Sequence, residues 1–272
     1  MPTPKIQSTF VGGLEVLSCL PQGRCSATPL LFIHGAFAGA WIWADNFLPY
    51  FAAAGYPCYA LSLRGHGESA GRERIDWLSI TDYVDDLTKV VNWLGQPPVL
   101  IGHSMGGFVA QKYLEHRSAP AAALVCSVPP QGLVMAQFHL MFQKPGLFME
   151  MNNLLSGRQV SLEVIREALF AEPVDNVLLN KFFTHMQMES QRALWDMSMF
   201  NLPHLVMRKR PPLLVLGAEK DVLVPAFLVQ ATARTYGVPD HIFRGMGHGV
   251  THERDWRKVA DYLRDWLHAG GF

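Results

Sequence analysis

VLIGHSMGGF, residues 99–108, sets a serine, a histidine and three glycines directly behind an apolar run. Glycine reaches backbone angles closed to other residues, so one reading is a tight turn between a buried strand and a helix. The more specific reading is that the turn exists to lift Ser104. Gly102-His103-Ser104-Met105-Gly106 fits G-x-S-x-G, in which a serine sits on a sharp strand-to-helix turn with its hydroxyl exposed. Residues 99–101 supply the strand, and residues 105–113 can form the helix. Glycines stand two positions either side because a tight elbow leaves no room for side chains there. The helix behind adds backbone N–H groups and a positive dipole end where charge develops on a substrate oxygen. Met105 supplies the first of those N–H groups.

A serine hydroxyl is a poor nucleophile at neutral pH; it needs a base, and the base needs a partner to fix its tautomer. PPLLVLGAEKDVLVP, residues 211–225, ends an apolar strand at Gly217 and presents Asp221 just beyond it. IFRGMGHGVTHE, residues 242–253, follows another strand and sets His248 between two glycines. The expected catalytic set is therefore Ser104, Asp221 and His248. Glu219 is the competing acid and His252 the competing base, but no glycine-rich turn frees His252, and AAALVCSVPP (121–130) offers no carboxylate. His103 is expected to pack away from the cleft, and His66, in RGHGES, to lie in a loop. An oxyanion hole needs a second N–H, which the loop after PLLFIHG (29–35) supplies at Ala36, with His34 bracing that loop.

Apolar runs at 29–35, 58–63, 97–104, 121–128 and 211–217 are mostly followed by helical periodicity, which predicts a parallel sheet covered on both faces, an α/β fold. Ile80, Tyr83, Val84, Leu87, Val90, Val91 and Leu94 share one helical face, with Ser79 as cap and Gly95 as stop. A second such helix begins at Trp256 and stops at Gly270 and Gly271. A helix over 47–54 must fit Pro49 in its first turn. Between Val128 and Pro211 the alternation fails and methionine and phenylalanine accumulate, so residues 133–203 read as a helical cap inserted into a core of residues 1–132 and 204–272. Phe37, Met135, Phe138 and Met186 are the residues expected to meet substrate; most of the other apolar residues there form the cap's own core.

The 272 residues carry 23 basic and 23 acidic side chains, so no charge footprint points to nucleic acid or an anionic membrane. Arg208-Lys209-Arg210 reads as a solvated connector. MPTPKIQSTF has no apolar signal-peptide stretch, and no run reaches membrane-spanning length, so a cytoplasmic protein without stable membrane insertion is expected. Cys19, Cys25, Cys58 and Cys126 have neither metal-type spacing nor disulfide density, which predicts reduced thiols. No metal is expected, and monomer and dimer both stay open.

FIHGAFAGAWIW, LSLRGHGES, GHSMGG, GAEKDVLVP and GMGH, in this order across nearly the whole chain, resemble the α/β-hydrolase fold superfamily. The resemblance implies a mostly parallel eight-stranded sheet, a helical cap after the sixth strand, and a Ser-Asp-His triad without cofactor. HGAFAGAWIW is similar to the oxyanion loop of small methylesterases and hydroxynitrile lyases, while LSLRGHGES resembles bacterial esterases and lysophospholipase-like proteins. Ser104 argues against relatives with an aspartate nucleophile. The expectation is a carboxylic-ester hydrolase taking a small to medium apolar acyl or alkyl group. A hydroxynitrile lyase or carbon-carbon hydrolase with the same triad, and a non-catalytic signal-binding protein on the same scaffold, are the other readings.

Overall fold

A computed structural model describes residues 5–23, 25, 28–204 and 210–272. The first four residues of the chain, and Arg208 and Lys209 of the basic run, lie outside the described residues. Among the described residues eight strands form one sheet: β1 (Ile6–Val11), β2 (Leu14–Cys19), β3 (Leu30–Ile33), β4 (Cys58–Leu61), β5 (Val99–His103), β6 (Ala122–Val125), β7 (Leu213–Ala218) and β8 (Asp240–Phe243). Their spatial order is β1-β2-β4-β3-β5-β6-β7-β8. β1 runs antiparallel to β2 and β2 to β4, and every pair from β4 to β8 is parallel.

Strand side chains alternate between faces, so each buried strand feeds two cores. Leu31, Ile33, Leu100, Leu124 and Val215 enter one, where they meet α3 (Ile80–Leu94), α4 (Met105–His116) and α10 (Ala226–Tyr236). Leu30, Phe32, Ile101, Ala123 and Leu216 enter the other, against α2 (Phe47–Ala53) and α11 (Trp256–Gly270). Both faces are dry, which is why the central strands read as continuous apolar runs. α3 begins with a reciprocal capping box between Ser79 and Asp82 and ends at Gly95, φ +71°. In α2, Pro49 falls in the first turn, where its missing N–H has no intrahelical acceptor to lose.

The hairpin β1–β2 was not among the strands read from sequence. Val11 pairs with Leu14 across Gly12 and Gly13, at φ +57° and +84°. Two successive positive φ values match the hairpin turn whose twist fits its flanking strands. The sequence signal was the Gly-Gly pair, but β1 is largely exposed and lacks a clean apolar stripe.

Among the described residues five α-helices join β6 to β7, followed by a π-helical turn over Asp196–Phe200: α5 (Val134–Gln143), α6 (Pro145–Leu155), α7 (Leu162–Leu169), α8 (Asn176–His185) and α9 (Gln191–Trp195). One more, α1 (Trp41–Ala44), follows β3. No helix among the described residues is long and apolar enough to cross a membrane.

Candidate active site

Ser104 stands between the end of β5 and the start of α4 at φ +52° and ψ −118°. Such a backbone costs a non-glycine residue on the order of 1–3 kcal/mol and persists only where its surroundings over-determine it. Here they do: the Ser104 N–H donates to Val125 O at 3.0 Å, and its carbonyl accepts from Gly107 N at 3.1 Å and Val128 N at 3.2 Å. The flanking glycines are sterically required. A Cβ on Gly102 would lie 2.4 Å from Gly106 O, and one on Gly106 would lie 2.3 Å from Ile33 O. Gly107 has the same constraint, since a Cβ there would meet Ser127 Oγ at 2.3 Å.

Asp221 lies in the turn after β7 and His248 in the loop after β8. His248 Nδ1 is 2.7 Å from Asp221 Oδ2. The other carboxylate oxygen, Oδ1, accepts from Leu223 N at 2.9 Å and Val224 N at 2.8 Å, so the turn itself aims the acid. Both side chains are buried. The sequence-predicted acid and base thus meet, while their competitors are engaged elsewhere. Glu219 accepts from Gly245 N at 2.9 Å, and His252 faces Asp45 at 3.5 Å.

Ser104 and His248 line one cavity of about 210 Å³ together with Ala36, Phe37 and Met105. Met105 is the first residue of α4, so its N–H belongs to the set a helix leaves without an intrahelical acceptor. The loop carrying Ala36 passes tightly over the elbow: a Cβ on Gly35 would stand 3.0 Å from Ser104 Cβ. His34 braces that loop, donating from Nδ1 to Gly35 O at 2.7 Å and accepting the Leu63 N–H at Nε2, 3.0 Å. Burial, and then the nearby His66, push His34 down to about 3. It is a neutral strut.

Much of the remaining cavity wall comes from the segment between β6 and β7, and it is mostly apolar: Leu133, Ala136, Leu140, Ile165, Phe182 and Met186 are among its members, facing Trp41, Leu223 and Val224 of the core. Met186, expected to meet substrate, is on this wall, as is Phe37. Met135 and Phe138 are not; they are 55% and 50% exposed. Helical geometry gives the reason. Positions 133, 136, 137 and 140 share the face of α5 turned to the cavity, which leaves 135 and 138 on the opposite side.

His103, expected to pack away from the cleft, lies ring to ring with His248 at 4.7 Å and also lines the cavity. Its Nε2 donates to the carbonyl of His248 at 3.0 Å. His103, Cys126 and His248 offer ligand atoms within 4.8 Å of one another. However, His248 Nδ1 is committed to Asp221 and His103 Nε2 to a carbonyl. Burial, reinforced by Asp221, pushes the Cys126 thiol up, which keeps it protonated and a poor metal ligand. The trio's donors are those of a packed support for the base.

A second buried polar group was not read from sequence. His66 Nε2 faces Glu189 Oε2 at 3.1 Å with both side chains wholly buried, and Tyr83 donates its hydroxyl to Glu189 Oε1 at 2.8 Å. Glu189 lies 123 positions after His66 in a stretch without motif, so only the fold brings them together.

A serine at a strained strand-to-helix elbow, backed by a carboxylate–imidazole pair from later strand ends of a mostly parallel sheet, defines a class. The model of the family described as "Alpha/beta hydrolase family" matches residues 30–262, and the chain belongs to that family. The monoacylglycerol lipase of Mycolicibacterium smegmatis is 27% identical over 236 residues, covering 80% of each chain. Protein phosphatase methylesterase 1 of Bos taurus is 30% identical over 145 residues, 52% of this chain and 35% of that protein. Among solved structures, the esterase from Exiguobacterium antarcticum has a TM-score of 0.73 at 20% identity, with 98% of this chain and 100% of that one covered. These relatives include lipases and esterases, and a hydrolase is the activity class they support.

Proposed function

We propose that the protein hydrolyses carboxylic esters bearing an apolar acyl group of small to medium length, through a Ser104–His248–Asp221 triad. The observation that carries this reading is the 2.7 Å bond between His248 and Asp221, with His248 and a strained serine lining the same mostly apolar cavity. Ser104 Oγ attacks the ester carbonyl carbon while His248 Nε2 takes its proton. Asp221 holds the Nδ1–H and stabilises the imidazolium that forms. The N–H groups of Ala36 and Met105 receive the oxyanion of the tetrahedral intermediate. Collapse expels the alcohol, protonated by His248, and leaves an acyl group on Ser104. Water deprotonated by the same imidazole then releases the acid, and no cofactor takes part.

Residues 133–203 act as the lid, whose apolar inner wall takes the acyl chain and excludes water. The likeness to a monoacylglycerol lipase over most of both chains supports a fatty-acyl rather than an amide substrate. The test is labelling with a fluorophosphonate followed by peptide mapping. The tag is expected on the peptide carrying Ser104, and Ser104→Ala should lose both the label and hydrolysis of short p-nitrophenyl esters. A folded Ser104→Ala protein that keeps its esterase activity would overturn the reading.

A further inference from the structure

Phe37 is the residue after Ala36, and at φ +62° it occupies a conformation that a bulky residue adopts only under constraint. The constraint comes from the helical insertion, more than a hundred positions away. Glu189 Oε2 accepts the Phe37 N–H at 3.3 Å, and the Phe37 carbonyl accepts from Gln187 N at 3.0 Å. The amide groups on both sides of this residue are therefore held by the short segment between α8 and α9. That segment is itself pinned to the core. The Gln187 amide bonds both sides of Gly67, accepting from its N at 2.6 Å and donating to its O at 3.2 Å. Glu189 Oε1 accepts from Tyr83 Oη and Ser190 N, each at 2.8 Å, and its Oε2 faces His66 at 3.1 Å.

We infer that Glu189, with Gln187, is a positioning residue for ester hydrolysis: it anchors the Ala36–Phe37 peptide, the unit that follows Ala36, and so limits the rotation of the loop about Ala36 that would turn the Ala36 N–H away from the oxyanion. This rests on the proposed role of Ala36. A carboxylate is suited to the task because its two oxygens can accept from Phe37 N, Tyr83 Oη and Ser190 N together while facing His66. A buried carboxylate must also be compensated; His66 in the loop after β4 and Tyr83 on α3 do this from the core, and Ser190 N does it from the same segment. The arrangement makes the donor loop depend on the insertion being seated. Ala36 is correctly aimed only when segment 187–190 is packed against His66 and Tyr83.

The test compares Glu189→Gln, Glu189→Asp and Gln187→Met with the parent. It measures hydrolysis of a p-nitrophenyl ester and inhibition by a trifluoromethyl ketone with the same acyl chain. The ketone's adduct with Ser104 places an oxyanion where the reaction does, so its affinity reports the aim of the N–H groups, while KM reports the cavity. Glu189→Asp keeps a negative charge in the pocket but is one methylene shorter, which draws the oxygen shared by Phe37 and His66 back from both. It should lower kcat and weaken the ketone by a common factor of about tenfold or more, with KM little changed. Glu189→Gln keeps an oxygen for the Phe37 N–H and should restore most of both. Gln187→Met removes only the grip on Gly67 and should show the same split to a smaller degree, which gives a reading even where a Glu189 variant does not fold.

Parent-like kcat and ketone affinity in folded Glu189→Asp would overturn the inference, as would equal losses in Glu189→Asp and Glu189→Gln. Parent-like values in Gln187→Met would do the same wherever the Glu189 variants do not fold. Ser104→Ala separates the two proposals: if it still hydrolyses ester the triad reading fails, and if it is inert while Glu189→Asp is unaffected only the positioning role fails.

Discussion

His103 donates its Nε2–H to the main-chain carbonyl of His248 at 3.0 Å, so the residue before the nucleophile holds the loop that carries the base. Burial first, and then the neighbouring His248, push His103 down to about 3. A neutral ring is required here, because one nitrogen must keep its proton for the carbonyl and a second charge beside His248 would oppose the imidazolium that catalysis needs.

The same depression predicts an acid sensitivity. An unfolded histidine titrates near pH 6.5, so below that value the unfolded chain takes up a proton that folded His103 refuses. The contribution to stability is complete above about pH 6.5 and declines as the pH falls toward 3, by about 1.4 kcal/mol per pH unit. His103→Gln presents an amide donor to the same carbonyl and has no such uptake. Urea titrations between about pH 6 and about pH 4 should show a shallower loss of stability in His103→Gln by about that slope. Equal slopes would mean that His103 titrates normally in the folded protein.

The elbow glycines should separate steric need from conformational need. Gly106→Ala places a Cβ 2.3 Å from a main-chain oxygen of β3, and neither partner is a flexible side chain. Its cost should be about 3 kcal/mol or more, with loss of fluorophosphonate labelling. Gly237, at the end of α10, has φ +66° but nothing within 4 Å of an added Cβ. Gly237→Ala should cost only about 1 kcal/mol and leave ester hydrolysis intact. Comparable losses in the two variants would show that crowding against β3 is not what requires glycine at position 106.

This contrast marks what the sequence made legible. That Ser104, Asp221 and His248 stand at strand ends was legible because each occupies a turn with its own local signature, and for Ser104 and Asp221 that turn follows a continuous apolar run; the parallel sheet followed from such runs. Met135 and Phe138 were misplaced because composition identifies an apolar helix without saying which of its faces is covered. That face is set by how α5 lies over the sheet, a tertiary fact. Glu189 and His66 were illegible for a related reason: a buried ion pair is defined by distance in space, and neither residue stands in a motif that requires the other. The β1–β2 hairpin was missed because an edge strand largely open to solvent has little apolar pattern to show.

The His66–Glu189 pair should leave its own signature in pH dependence. Burial works to lower His66, but the Glu189 carboxylate outweighs it and the group is raised; Arg72 opposes the rise. Burial works to raise Glu189, but His66 outweighs it and the group is lowered, with Ser190 N and Tyr83 assisting. The stability from His66 is complete below its unfolded value and lost as pH rises through its raised folded value. That from Glu189 is complete above its unfolded value and lost as pH falls through its lowered folded value. Both are complete only between about pH 4.5 and about pH 6.5. The stability difference between the parent and Glu189→Gln should therefore peak in that window and shrink on both sides, as measured by urea unfolding across pH. A difference that is flat with pH would show that the pair is not ionised.

The last prediction concerns acyl length. Ala136 is 3% exposed and stands on the cavity wall, on the face of α5 opposite to Phe138. Ala136→Leu fills the chamber with three further carbons. If the acyl chain lies there, the longest well-tolerated p-nitrophenyl ester should shorten by about two or three methylenes, each worth about 0.8 kcal/mol of burial, while kcat for acetate is unchanged. Phe138→Ser, on the solvent face of the same helix, should leave the chain-length profile where it was. Profiles that shift equally in both variants would mean that α5 moves as a whole; a profile that shifts in neither would place the acyl chain elsewhere in the cavity, against Phe182 and Met186.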